Sequence, residues 1–392
     1  MESTEGKTPT FPRHFYSLDA LRGLAALIVV FWHWQNLFVQ GKELTNFSPA
    51  QQPLYAWFVP FYLEGWRAVD LFFCLSGFIF YWLYSEKVWT RETSLKEFVV
   101  LRFSRLYPLH LLTLLFVVAG QRVMLWLTGS GHCDSNNDLY HFALQLVFAS
   151  QWGFERGYSF NGPIWSVSVE ILLYAVFFLV CLGNFRRWWQ LAILVGVGHL
   201  LTRVGHASLG RGMLSFFAGG LAFYAVARVQ RRPPSAAALK ILAATTSLLW
   251  TLVMVNIYVK DLFGHALFKP RRFFFELLLF PLTLATLALW EAHRGTLGRR
   301  VAFLGHISYS CYLLHFPLQM IFVGAAFVLA VPRTFFYTPD SFVIFFVTLI
   351  AVSLCSYYYF ERPVQFLLRK RLLPDRKPVI RDTPGPPPGA RR

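Results

Sequence analysis

The sequence predicts an all-α protein, a polytopic membrane helical bundle of about ten transmembrane helices. Three observations predict it. The 392 residues are 56% hydrophobic and only 15% charged, whereas soluble domains are nearer one quarter charged. Apolar runs of spanning length recur along the whole chain, and ~20 such residues cross a bilayer as a helix. Aromatic residues reach 18%, with 41 Phe suited to hydrocarbon and 17 Tyr and 13 Trp suited to the interfaces. Backbone groups in lipid must be satisfied within their own segment, so the spans are expected as helices rather than strands.

A polar arm, residues 1–17, comes first. Spans follow near 18–39, 65–84, 106–127, 163–182, 188–204, 211–228, 237–259, 273–290, 301–329 and 341–360. The fifth and sixth are short and Gly-rich, and 141–154 reads as an extra interfacial or re-entrant piece. The membrane domain is placed at 18–365, and the basic, Pro-rich tail 366–392 is expected to be disordered and cytoplasmic. The N-terminal run is too long for a cleavable signal and itself carries Arg22 and His33.

The formal charge of +17 does not indicate a nucleic-acid binder, because the basic residues sit between greasy spans and not on a soluble face. With the first span starting inside, most of the 37 Lys and Arg fall in inner segments, notably Lys87–Arg105 and everything from Arg362 onward. That asymmetry predicts a multi-pass cell-membrane protein with both termini cytoplasmic. The five cysteines form no Cys-x-x-Cys pair, and neither a disulfide framework nor a metal site is expected.

The first span carries the strongest chemical signal. Arg22 and His33 stand eleven residues apart in LRGLAALIVVFWH. On a helix this returns the two side chains to within about 20° of each other, ~16 Å apart along the axis. One face thus offers a cation at the inner surface and an imidazole deep in the bilayer, where ionisable groups are costly and usually line a path. Imidazole is the side chain best suited to take a proton from a hydroxyl near neutral pH. An acyl-CoA, anionic at one end and a thioester at the other, matches that spacing.

Other spans add groups at similar depths. Asp70, five residues into the second span, is a candidate to orient His33, with an interfacial pair to Arg67 as the alternative. Arg102 and Arg105 lie three apart before the third span and could bind phosphate. Glu170 is buried in apolar sequence after Trp165, Ser166 and Ser168, and suits either acceptor binding or helix packing. In the ninth span His315 is expected at the depth of His33, with Tyr309 and Tyr312 on nearby turns and Pro317 breaking or kinking the helix. After the tenth span an exposed Glu361–Arg362 pair is expected.

With these residues in view, the chain resembles the acyltransferase-3 family of multi-pass membrane O-acyltransferases, over roughly residues 16–365. The family's Arg-x10-His motif stands as Arg22 to His33, and its acidic second-span motif as Val69-Asp70-Leu71-Phe72-Phe73 through Ser76-Gly77-Phe78. Its Arg-x-x-Arg stands as Arg102 and Arg105, followed by Pro108. The remaining three motifs appear at Trp165 to Glu170, Ile307 to His315 and Glu361 to Pro363. Each motif alone is weak, but six in order at matching spacing are specific.

The resemblance implies acyl-CoA, usually acetyl-CoA, as cytoplasmic donor, with no metal. It implies a hydroxyl acceptor on a polysaccharide, lipid-linked sugar, peptidoglycan or glycosylated natural product. His33 then matches the catalytic histidine, with Asp70 beside it. Arg22, Arg102 and Arg105 match the donor-binding residues, and Trp165, Ser168, Glu170, Tyr309 and His315 would shape the acceptor side. Transfer through an acyl-histidine or directly to the acceptor are both open. Some relatives carry a C-terminal hydrolase-like SGNH domain. Without one, the chain is expected to act alone or with a separate extracytoplasmic partner. The rival from another class is a transporter or flippase for a glycan or anionic substrate. It would use the same intramembrane charges, but it leaves the 22–33 spacing unexplained and lacks the internal repeat expected of that class.

Overall fold

The reason for the helices is local and repeats from span to span. The computed structural model describes residue 12 and residues 14–133, 136–268 and 271–373. Fourteen α-helices connect in sequence: α1 (Tyr16–Trp32), α2 (Tyr55–Glu64), α3 (Ala68–Trp89), α4 (Leu95–Thr128), α5 (Leu139–Leu146), α6 (Ile164–Leu182) and α7 (Trp188–Arg203). Then follow α8 (Ala207–Gln230), α9 (Ala236–Phe263), α10 (Phe280–Arg294), α11 (Phe303–His306), α12 (Ser308–Val328), α13 (Pro339–Cys355) and α14 (Arg362–Leu372). The one sheet among the described residues is the two-residue hairpin of Val39–Gln40 with Glu43–Leu44. Ser94 Oγ accepts from the Glu97 amide at the start of α4, and Ser235 Oγ from Ala238 at the start of α9. These hydroxyls satisfy amides that have no intrahelical partner. Both helices stop at glycines in the left-handed region, Gly129 and Gly264.

Nine helical stretches among the described residues are long and apolar enough to cross a membrane. The remaining predicted pass, the fifth, is α7, whose 16 residues rise only ~24 Å against a hydrocarbon core of about 30 Å. It runs antiparallel to α8, with Gly198 against Gly210 and Leu214, and Leu191 against Gly220. The outward sides carry apolar residues that a soluble protein would bury, among them Trp126, Leu179, Ile241 and Val347.

Packing at the centre is closest between α3 and α8. A Cβ at Gly77 would lie 1.8 Å from the Phe216 carbonyl oxygen, and one at Gly219 would lie 1.8 Å from that of Cys74. The two backbones therefore touch. Phe73, Phe78, Tyr81, Phe177, Phe216 and Phe217 fill the space around this contact.

The two ends of the bundle are tied differently. At the first end, buried Glu291 at the close of α10 accepts from the Tyr16 and Ser17 amides and the Ser17 hydroxyl. There, too, Arg369 of α14 donates to Ser104 of α4. The start of α1 and the end of α14 therefore share one end. At the second end, Trp34 Nε1 donates to the Phe336 carbonyl and Arg333 to that of Val39.

Several boundaries differ from those expected. Helix α4 begins at Leu95, so Arg102 and Arg105 lie inside it and not on an approach segment. Pro317 does not break α12, which continues from Ser308 to Val328. Its missing N–H leaves the Leu313 carbonyl without an intrahelical donor, and Asn161 Nδ2 donates to that carbonyl at 3.2 Å. Helix α14 runs through Leu372, so the tail expected from 366 starts within a helix. The rest of that tail from 374, and the arm apart from residues 12 and 14–17, lie outside the described residues.

Candidate active site

His33 closes the first helix. The α-helical backbone of α1 ends at Trp32, and His33 (φ −81°, ψ 2°) opens a 3-10 turn over His33–Phe38, inside the stretch expected as unbroken helix. Its Nδ1 lies 3.0 Å from the Val29 carbonyl oxygen one turn back. A carbonyl can only accept, so Nδ1 carries the proton and Nε2 keeps a free lone pair.

His315, fully buried on α12, faces His33 with ring centroids 4.9 Å apart. Gln319, one turn on, donates to the His33 carbonyl at 2.8 Å and accepts from Asn36 at 3.3 Å. The depth match expected for the two histidines is therefore a direct contact, held by α12 on both sides of His33. Tyr312, one turn before His315, lies 5.9 Å from its ring.

Tyr312 also belongs to the wall of a cavity of about 100 Å³ lined by α1, α3, α4, α6 and α12. Arg22, Arg102, Arg105, Glu170 and Tyr309 of the expected site residues line it. Arg22 is braced by Asp19 at 2.8 Å and by the Gly305 carbonyl. Arg102 donates to the Tyr84 hydroxyl and lies over Phe80, 4.9 Å from its centroid. Arg105 makes no hydrogen bond or ion pair with the described residues and is exposed. Tyr309 is fixed by its hydroxyl on the Leu106 carbonyl at 2.6 Å.

Ser166, Glu170 and Tyr174 all line the cavity, and their spacing of four residues puts them on one face of α6. Tyr174 stacks on Phe80 at 4.2 Å, which places one end of this row beside Arg102. Ser166 meets the Tyr312 hydroxyl at 2.6 Å, which places the other end beside His315. Glu170 lies between them, its Oε1 accepting from Ser76 and from Tyr174.

The other expected residues are elsewhere. Asp70 does not orient His33, nor does it pair with Arg67. Its carboxylate takes both prongs of Arg211 at 3.1 Å, and Arg67 pairs with Glu64 at 2.8 Å. The physical reason is proximity: Asp70 faces the start of α8, and the Val29 carbonyl already holds the imidazole. Ser168 is fully buried, where it accepts from the Gln151 amide and anchors the preceding loop. Trp165 packs against the Arg211 guanidinium, 5.4 Å from its centroid, and stands off the cavity wall. Glu361 is no exposed ion pair, since Ser310 and Ser356 donate to it at 2.6 and 2.7 Å. Among the described residues no group of His, Cys, Asp and Glu is placed to hold a metal ion.

Sequence reasoning missed Arg211, Tyr174, Asn161 and Gln319, and named Ser76 only as part of a family motif. Tyr174 was within reach, because it repeats the four-residue step from Ser166 to Glu170. Arg211, at the edge of a Gly-rich run, reads as a span boundary and gives no sign of a partner.

A family model described as an acyltransferase domain, that of the acyltransferase-3 family, matches residues 15–359. The chain belongs to this family. The family domain therefore takes in every residue of the cavity and of the histidine pair. Two curated relatives add partial matches. "Protein 2 in picA locus" of Rhizobium radiobacter is 36% identical over 108 residues, 28% of this chain and 46% of that protein. "Acyltransferase MdmB" of Streptomyces mycarofaciens is 30% identical over 168 residues, 41% of this chain and 38% of that protein. The chain spans less than half the length of each of these relatives. No solved structure matches it.

Proposed function

We propose that the protein is an integral membrane O-acyltransferase that moves an acyl group, acetyl in the simplest case, from acyl-CoA to a hydroxyl. The acceptor would be a carbohydrate, a glycolipid or a glycosylated natural product, and donor binding would occur from the cytoplasmic side. The observation that carries this reading is the continuity of one cavity from three arginines to a tyrosine in contact with the His315–His33 pair. Membership of the family and the name of the MdmB relative, an acyltransferase, support the same reaction class.

In this reading Arg22, Arg102 and Arg105 hold the anionic end of the donor, and Arg105, with no protein anion bound to it, is the most available. The thioester lies towards Tyr312 and the histidines. His33 Nε2 takes the proton of the acceptor hydroxyl as its oxygen bonds to the thioester carbonyl carbon. The resulting tetrahedral adduct expels CoA thiolate, which takes the proton from the imidazolium, so ester and free CoA leave and the ring returns to neutral. Proton transfer by a placed base contributes about 10²–10⁴-fold.

The test is purified protein in detergent with radiolabelled acetyl-CoA, wild type beside His33→Ala. Thioester turnover that depends on His33 supports the transferase, and label trapped on the protein would replace direct transfer with an acyl-histidine step. No turnover and no CoA binding by folded protein would favour the transporter reading.

A further inference from the structure

The mid-cavity carboxylate does not fit an acceptor-side role. Glu170 shares a wall with Arg22, Arg102 and Arg105, yet forms an ion pair with none of them. Both donors that reach it, Ser76 and Tyr174, bind the same oxygen, Oε1. Oε2 accepts no hydrogen bond from the described residues, and Glu170 is only half-buried. Glu170 lines the cavity, so this oxygen is left free to accept from a donor that enters it.

Position along α6 decides what that donor is. Tyr174 marks the arginine end and Ser166 the histidine end, and Glu170 sits one helical turn, ~6 Å, from each. A carboxylate there would repel a phosphate and has nothing to offer a thioester. Between its phosphates and its thioester, an acyl-CoA carries a slender pantetheine arm with two neutral amide N–H groups. Taking the proposed donor as given, we infer that Glu170 Oε2 accepts a hydrogen bond from a pantetheine amide of the donor. Ser76 and Tyr174 act with it by fixing Oε1 and so aiming Oε2 at the arm. Glu170 is thus a positioning residue on the donor side. It sets the depth to which the thioester travels and favours arms that carry an amide at that point.

The experiment measures affinity, so it does not require the acceptor. Four ligands are titrated into detergent-purified protein: CoA, two CoA analogues with each amide N–H replaced in turn by an ester oxygen, and 3′,5′-ADP, which has the nucleotide end alone. Wild type should bind CoA about tenfold tighter than one of the ester analogues, the loss expected for one charge-assisted hydrogen bond. Glu170→Met should lose about tenfold for CoA, bind that analogue as wild type does, and keep its affinity for 3′,5′-ADP. Glu170→Gln, which keeps an acceptor oxygen, should fall between. The retained 3′,5′-ADP affinity shows that the variant is folded. Equal weakening of all four ligands, or no weakening of CoA, would overturn the inference while leaving the donor reading intact. Wild type that binds neither CoA nor 3′,5′-ADP would instead overturn the donor reading itself.

Discussion

The rings of His33 and His315 lie 4.9 Å apart, centroid to centroid, and are tilted by 37°. They arrive from opposite ends of the sequence. Each is fixed differently: His33 by a hydrogen bond to its own helix, and His315 by burial against Tyr312 and His33. That difference predicts unequal roles. His33→Ala should reduce acyl transfer about 10²–10⁴-fold. His315→Asn leaves the Val29 bond in place and should reduce it less, by tens of fold at most. Labelled-acetyl transfer by the two variants in parallel checks the order, and an equal loss would mean that the imidazoles act as one unit.

Asp70 and Arg211 should behave as a structural pair. Asp70 is fully buried, and breaking a buried pair from one side typically costs about 3–5 kcal/mol, because a charge is left behind. Asp70→Leu and Arg211→Met should each lower the melting temperature strongly in detergent. The double variant should recover much of the loss and retain CoA binding. A double variant no more stable than either single would show that the pair does not balance as the geometry states.

The α3–α8 contact leaves no room for a methyl group. Gly77→Ala or Gly219→Ala puts a Cβ within 1.8 Å of a backbone oxygen, so the helices must part, and overpacking of this kind costs about 1–3 kcal/mol or more. Yield of folded protein on gel filtration should fall. Gly196→Ala, which meets nothing within 4 Å, should be indistinguishable from wild type.

His132, in the loop after α4, gives a pH dependence. Burial, reinforced by Arg333, pushes its pKa down to about 3 from an ordinary 6.5. The unfolded chain therefore binds the extra proton first as pH falls, and the folded chain resists it down to about pH 3. Stability is complete above 6.5 and declines as pH drops through that window. Melting temperatures at pH 7.5 and 5 should differ more for wild type than for His132→Gln, which cannot titrate.

The fold was largely legible, and for a physical reason: lipid permits few solutions for an apolar run of spanning length. The spans around Arg22, Asp70, Glu170 and His315 all fall where the sequence places them. The ends of the helices were less legible. Helix α4 starts eleven residues before the apolar run that announces it, because Ser94 caps it and charged residues are tolerated outside the hydrocarbon. For the site, residue types were easier to read than partners. Arg22 and His33 stand out by their own spacing, whereas the pairing of Asp70 with Arg211 joins positions 141 apart and depends on how α3 and α8 dock. Ser168 looked like a site residue because it neighbours Glu170, but on a helix a two-residue step points to a different face.

The shortness of α7 has a consequence for the surrounding lipid. Arg187 at one end and Arg203 at the other bracket its apolar stretch, and both resist being drawn inwards. A bilayer that α7 crosses would have to thin along this flank by several ångströms, at a modest cost for each ångström of mismatch. Polar headgroups on that side would then sit closer to the midplane than elsewhere around the bundle. Membranes of different thickness should accordingly load this protein unequally, so its activity becomes a property of the host bilayer as well as of the chain.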